Sequence, residues 1–207
     1  NQAPGAKRMM VSGIDSLDRA VAALAAHYPE AAAPALRRLL ESPNPFAQYL
    51  ALRELHSGRH PELNALLLKK LDAFAKAAEA VGFHWTCEAL ARRGVVEALP
   101  ALERHAHNES PPGLLGPRGM GLGYPAAKAI ARLAPDLGHP EVSRLLESEN
   151  IWLRAGVLAG LTDARAPGIE ALLAGVLAEH PAALVADQAA VGLRTLRASR
   201  QAAVMAR

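Results

Sequence analysis

Gly116-Pro117-Arg118-Gly119-Met120-Gly121-Leu122-Gly123 runs into Tyr124-Pro125 and a segment carrying Lys128. A glycine-rich loop ahead of a helix can cradle phosphate on its backbone N–H groups. Here Gly-Lys-Ser/Thr is missing, no strand leads in, and no acidic partner for a ribose follows. The plainer reading is an inserted loop at about 108–123, the longest break in the regular pattern and so a candidate contact surface, with Arg118 upon it and Tyr124 just after it. His105-x-His107 with Glu109, and His84 with Cys87 at i, i+3, have metal-ligand spacings. Two ligands do not make a site, and histidines also gather at helix ends to complement the dipole. Cys87 falls beside Leu90 on an apolar face with no base at hand, which suits a small buried residue better than a nucleophile. No catalytic residue, no metal and no cofactor is expected.

Trp85 and Trp152 are the largest side chains, and Glu88, three residues after Trp85, is the one acid within a turn of either on the same face. Packing at the start of a helix is the ordinary account of both. Arg194, Arg197, Arg200 and Arg207 follow Asp187 with no acid between them, a basic end that complements a helix dipole and solubilises a terminus. Arg37-Arg38, Lys69-Lys70 and Arg92-Arg93 recur near helix ends and would form a basic stripe if they shared a face.

The elements that must position these groups are helices. The chain has 207 residues, 51% hydrophobic and 4% aromatic, and Ala and Leu dominate while β-branched residues are thin, the composition of packed helices. With 23 Lys+Arg against 20 Asp+Glu, a formal +3, the balance argues against disorder and against a strongly electrostatic nucleic-acid binder. One cysteine excludes an internal disulfide framework and a Cys-based structural zinc site. No apolar run approaches the roughly 18–20 residues of a membrane span. Apolar spacing at i, i+3, i+4 and i+7 predicts helices at about 15–27, 30–41, 45–56, 61–75, 77–93 and 95–107, then 124–134, 139–147, 150–161, 166–179 and 182–200. Short loops make successive helices antiparallel hairpins.

The chain also resembles itself. Arg38-Leu39-Leu40-Glu41-Ser42-Pro43-Asn44 returns as Arg144-Leu145-Leu146-Glu147-Ser148-Glu149-Asn150, and without a gap residues 20–55 match 126–161 at 13 of 36 positions. Pro29 and Pro34 return as Pro135 and Pro140, and Phe46 becomes Trp152. The offset of 106 residues is about three helical hairpins of roughly 35 residues each. A looser copy lies between, at Trp85, Ala89, Leu90 and the Val95-to-Leu102 stretch. One amphipathic hairpin cannot bury its face alone, so stacked neighbours must cover it. The leucine pairs Leu39-Leu40, Leu67-Leu68, Leu145-Leu146 and Leu172-Leu173 would fill the layer between them.

At Glu147 to Asp163, through Ile151-Trp152-Leu153-Arg154-Ala155-Gly156, the chain resembles a HEAT-type repeat. More closely, it is similar to the short bacterial HEAT-like repeats first grouped with phycobilisome lyases. The resemblance covers about residues 15–197 and implies an all-α fold, an α-solenoid of about five to six antiparallel hairpins with a concave face. It also implies that an Arg such as Arg154 and an Asp such as Asp163 brace neighbouring repeats. Gln48 and Cys87 stand at the matching positions of other copies and would break that ladder. The iron-binding His-Glu pairs of deoxyhypusine-hydroxylase-type HEAT enzymes are missing. HEAT-like alkylpurine glycosylases hold damaged DNA with aromatic residues and an Asp on the concave face, and only Trp85 with Glu88 approaches that pattern.

The sequence therefore leads to one repeat domain at 15–200, with a 1–14 extension or non-native remnant and a basic tail at 201–207. Its expected role is a non-catalytic protein-binding scaffold. The alternatives are a tetrapyrrole (phycobilin) lyase-like protein or chaperone and a nucleic-acid-binding protein of the glycosylase type. The partner expected is another protein, acidic in character, rather than a membrane, nucleic acid or small molecule. Candidate contact residues are Tyr49, Arg53, Trp85, Arg118, Tyr124, Trp152 and Arg154. A cytoplasmic protein is expected if the chain starts near Met9-Met10, a periplasmic or secreted one if Asn1 is a mature terminus.

Overall fold

The computed structural model describes residues 19, 20, 23, 27–56, 60–107, 121–179 and 182–205. Among these residues the chain forms ten α-helices and no strand. They are α1 (Pro29–Glu41), α2 (Pro45–Leu55), α3 (Asn64–Lys76), α4 (Ala80–Arg92), α5 (Leu99–His107), α6 (Gly123–Leu133), α7 (Pro140–Leu146), α8 (Ile151–Ala164), α9 (Ile169–Ala178) and α10 (Ala183–Met205). The all-α expectation holds. Most of the helix expected at 15–27, and the inserted loop at 108–120 with Arg118, lie outside the described residues.

The boundaries differ from expectation at several helix ends. Helices expected from 61 and 95 open instead with single 3₁₀ turns, Pro61–Leu63 and Val96–Ala98. The tail expected at 201–207 is helical as far as Met205, because Gln201-Ala202-Ala203-Val204-Met205 are tolerated in a helix and include no Gly or Pro to stop it. None of the helices is long and apolar enough to cross a membrane among the described residues.

Helix starts are fixed by proline and by short polar caps. Pro stands in the first turn of α1, α2 and α7, where its missing N–H would have no helical partner anyway. The repeated Ser-x-Asn junction folds the same way twice. Asn44 N–H donates to Ser42 Oγ at 3.1 Å, and Phe46 N–H donates to Asn44 Oδ1 at 2.9 Å. At the second junction Asn150 N–H donates to Ser148 Oγ at 3.1 Å, and Trp152 N–H to Asn150 Oδ1 at 3.0 Å. The sequence identity there is thus conserved cap chemistry, each cap satisfying a donor that the helix cannot.

Tertiary packing lines up the even-numbered helices in one row, with the odd-numbered helices set against it. α2, α4, α6, α8 and α10 pack in succession, each on the next, while α1, α3, α5, α7 and α9 each pack on the helix that follows. Leu40, Leu67, Leu145 and Leu173 are completely buried between them, and each contributes about 1.5–3 kcal/mol of apolar transfer energy. Their neighbours Leu39, Leu68, Leu146 and Leu172 pack against the same core while remaining partly exposed. The α6–α8 contact is the most extensive. Gly156 and Gly160 make it possible: a Cβ at Gly156 would lie 2.6 Å from the Tyr124 carbonyl oxygen, and one at Gly160 would run into the Lys128 carbonyl. Arg93 ties the far end of α4 to its neighbours, donating to Asn64 Oδ1 at 2.8 Å, the Leu55 carbonyl at 3.2 Å and the His60 carbonyl at 2.6 Å. Arg93 therefore serves the fold rather than an external basic stripe.

Candidate functional site

The row α2–α4–α6–α8 presents aromatic side chains in the first two turns of its helices and charged ones further along. Tyr49 on α2 meets Trp85 on α4 nearly edge to face, with ring centroids 5.4 Å apart. Tyr124 on α6 meets Trp152 on α8 in the same manner at 6.4 Å. All four rings are half-buried. Each pair joins adjacent helices of one row, the geometry aromatic quadrupoles prefer.

One turn beyond Trp85, Glu88 is only 8% exposed although charged. Lys128 Nζ reaches from α6 to within 2.6 Å of Glu88 Oε1 and 3.1 Å of Asp163 Oδ2 on α8. Arg132, a turn further along α6, stands 3.7 Å from Glu88 and 3.8 Å from Asp163. Arg92 approaches Glu88 at 3.8 Å from the same helix. The close α6–α8 approach at Gly156 and Gly160 is what lets one lysine touch carboxylates from two different helices.

Burial alone would raise the Glu88 carboxyl, but Lys128, His84 and Arg132 outweigh it and hold it below the usual carboxylate range. The Lys128 ammonium is likewise held above its ordinary value by Glu88 and Asp163 against the cost of burial. A carboxylate so stabilised is a weak base, so the cluster is built to stay charged rather than to shuttle protons. Burial also raises the Tyr124 phenol and lowers His84. His56 lies on Trp85 with ring centroids 4.9 Å apart. Burial, then Arg92, pushes its imidazole down to about 4. Both histidines beside Trp85 are therefore neutral at pH 7.

The structure brings together Tyr49 with Trp85 and Tyr124 with Trp152, two pairs drawn from the candidate contact residues. Arg53 is exposed one turn beyond Tyr49. Arg154 does not join the aromatic pairs; it lines a cavity of about 200 Å³ with Leu146, Leu172 and Glu179. Asp163 does brace α8 to a neighbouring helix, but through Lys128 and Arg132. Gln48 turns back on its own junction, donating to the Ser42 carbonyl at 2.6 Å.

The spacings that suggested metal ligands resolve into separate pairs. His105 meets Asp72 at 2.8 Å and His107 meets Glu141 at 2.6 Å, on α3 and α7 respectively. Glu109 lies outside the described residues, and among the described ones no group of three or more His, Cys, Asp or Glu could hold a metal ion. Cys87 is fully buried, and burial followed by the Glu88 charge pushes its thiol well up, the environment of an inert thiol.

Glu88, Lys128 and Arg132 were not among the expected contact residues. The signal of Glu88 and Lys128 was present as lone charges within Thr86-Cys87-Glu88-Ala89-Leu90 and Ala126-Ala127-Lys128-Ala129-Ile130. A charge set in such a run must be paired when it is buried. Periodicity could not say with whom.

No family model, no curated protein and no solved structure matches the chain.

Proposed function

We propose that this protein is a non-catalytic binding scaffold, an α-solenoid of HEAT-like hairpins whose recognition surface is the row α2–α4–α6–α8. The observation that carries this reading is the joining of two half-exposed aromatic pairs to an ion-pair cluster along one row of helices. Rigid aromatic rings give large contact area at small entropic cost, and tyrosine, tryptophan and arginine are the residues that anchor protein interfaces. The successive packing of α2, α4, α6, α8 and α10 and the twice-repeated Ser-x-Asn cap support the solenoid reading. In the cluster, three cations (Arg92, Lys128, Arg132) face two carboxylates (Glu88, Asp163). The surplus positive charge of this cluster favours an acidic protein partner.

The test is affinity capture from native lysate at moderate salt, run in parallel with the intact chain and with Arg53→Glu/Arg92→Glu. A single protein in roughly stoichiometric yield, retained by the intact chain and lost by the variant, supports the scaffold. A coloured eluate, or nucleic acid released steeply with salt, would overturn it in favour of the tetrapyrrole or nucleic-acid alternatives.

A further inference from the structure

A cavity of about 480 Å³ opens where α2 and α4 begin, within the size range of small-ligand sites. Phe46, Tyr49 and Leu52 line it from α2, and Val81 and Trp85 from α4. The Phe46 and Tyr49 rings are 6.5 Å apart and Tyr49 and Trp85 5.4 Å apart, so three aromatic rings border one space. Glu79 is the one carboxylate among the described lining residues, and neither lysine nor arginine is among them.

Among the described lining residues, the charge is of one sign. The start of α4 carries about half a positive charge, which the full negative charge of Glu79 beside it outweighs. At the start of α2, the Asn44 side chain already caps the Phe46 N–H. His56 and His84, which flank Trp85, are both kept neutral at pH 7. Arg92 lies two turns further along α4 and is directed to Glu88. An aromatic wall with one carboxylate and no lining cation favours a soft, weakly hydrated cation.

We propose that the cavity between the starts of α2 and α4 is a cage for a quaternary or methylated ammonium group. Phe46, Tyr49 and Trp85 supply the aromatic wall and Glu79 the counter-charge. Such a group occurs on free choline-like molecules and on methylated lysine, and the chemistry of recognition is the same. This proposal goes beyond the scaffold reading and does not rest on it.

Two probes of equal shape separate charge from apolar fit: choline and the uncharged 3,3-dimethyl-1-butanol. Each is titrated into the intact chain while the Trp85 indole N–H resonance, assigned with Trp85→Phe, is followed by NMR. Choline is expected to shift that resonance saturably and to bind about tenfold more tightly than the neutral isostere. Glu79→Gln, its fold checked by circular dichroism, is expected to weaken choline severalfold and leave the isostere unchanged. A trimethyllysine peptide in a third arm identifies the source: tighter than choline means a modified protein segment, weaker means a free small molecule. Equal binding of choline and the isostere, or no shift with either choline or the peptide, overturns the proposal.

Discussion

Lys128 on α6 places its ammonium 2.6 Å from the carboxylate of Glu88 on α4, in a position where Glu88 is almost wholly withdrawn from water. The same nitrogen reaches Asp163 on α8, so one side chain ties three successive helices of a row. Removing one member of a buried pair leaves the other uncompensated, and that costs more than the pair contributes. Lys128→Met, which leaves the buried Glu88 carboxylate with only the longer contacts of Arg92 and Arg132, is expected to destabilise the fold by about 3 kcal/mol, and Glu88→Leu/Lys128→Met by less than the sum of its single variants. Urea unfolding of all four chains checks this; strictly additive effects would show that the two groups do not interact.

Acid should act on the same face. In the folded chain His56 takes its proton only near pH 4, against 6.5 for the free side chain. As pH falls the unfolded chain is protonated first, so stability declines between about 6.5 and 4. The loss is about 1–2 kcal/mol after discounting for solvent screening. His84 is shifted in the same direction. His56→Phe keeps a ring on Trp85 without a titrating group, and its unfolding midpoint should depend less steeply on pH in that window. Below about 4.5, the depressed Glu88 carboxyl adds a further loss as it is protonated.

Glycine positions that look alike in sequence should respond oppositely. A Cβ at Gly160 would strike the Lys128 carbonyl and stand 2.8 Å from the Ala131 methyl, whereas one at Gly175 meets nothing within 4 Å. Gly160→Ala is expected to cost about 2–3 kcal/mol, overpacking outweighing the gain in helix propensity. Gly175→Ala should stabilise by about 0.5–1 kcal/mol. Thermal unfolding of the two variants gives the signs directly.

The twin caps offer a further comparison. Asn44 and Asn150 accept from Phe46 and Trp152 N–H with nearly the same geometry, so Asn44→Ala and Asn150→Ala should each cost about 1 kcal/mol. A loss at one junction alone would mean that the caps are alike in shape but not in energetic role.

What the sequence determined by itself was local. Helix periodicity, prolines in first turns and the Ser-x-Asn caps act within a few residues, and they located the helices and the matching of Ser42–Asn44 with Ser148–Asn150. They also placed Cys87 in the core. The tertiary structure decided who meets whom. Glu88, Lys128 and Asp163 are 40 and 35 residues apart in successive steps, and nothing in their local spelling says they share an ion pair. That follows from how closely α6 and α8 approach, which depends on two glycines meeting two carbonyl groups across an interface. His105 and His107 make the same point in reverse: adjacent in spacing, they turn to α3 and α7 and never converge. Side chains two residues apart on a helix diverge by more than half a turn, so their partners are chosen by the neighbouring helices, not by the spacing.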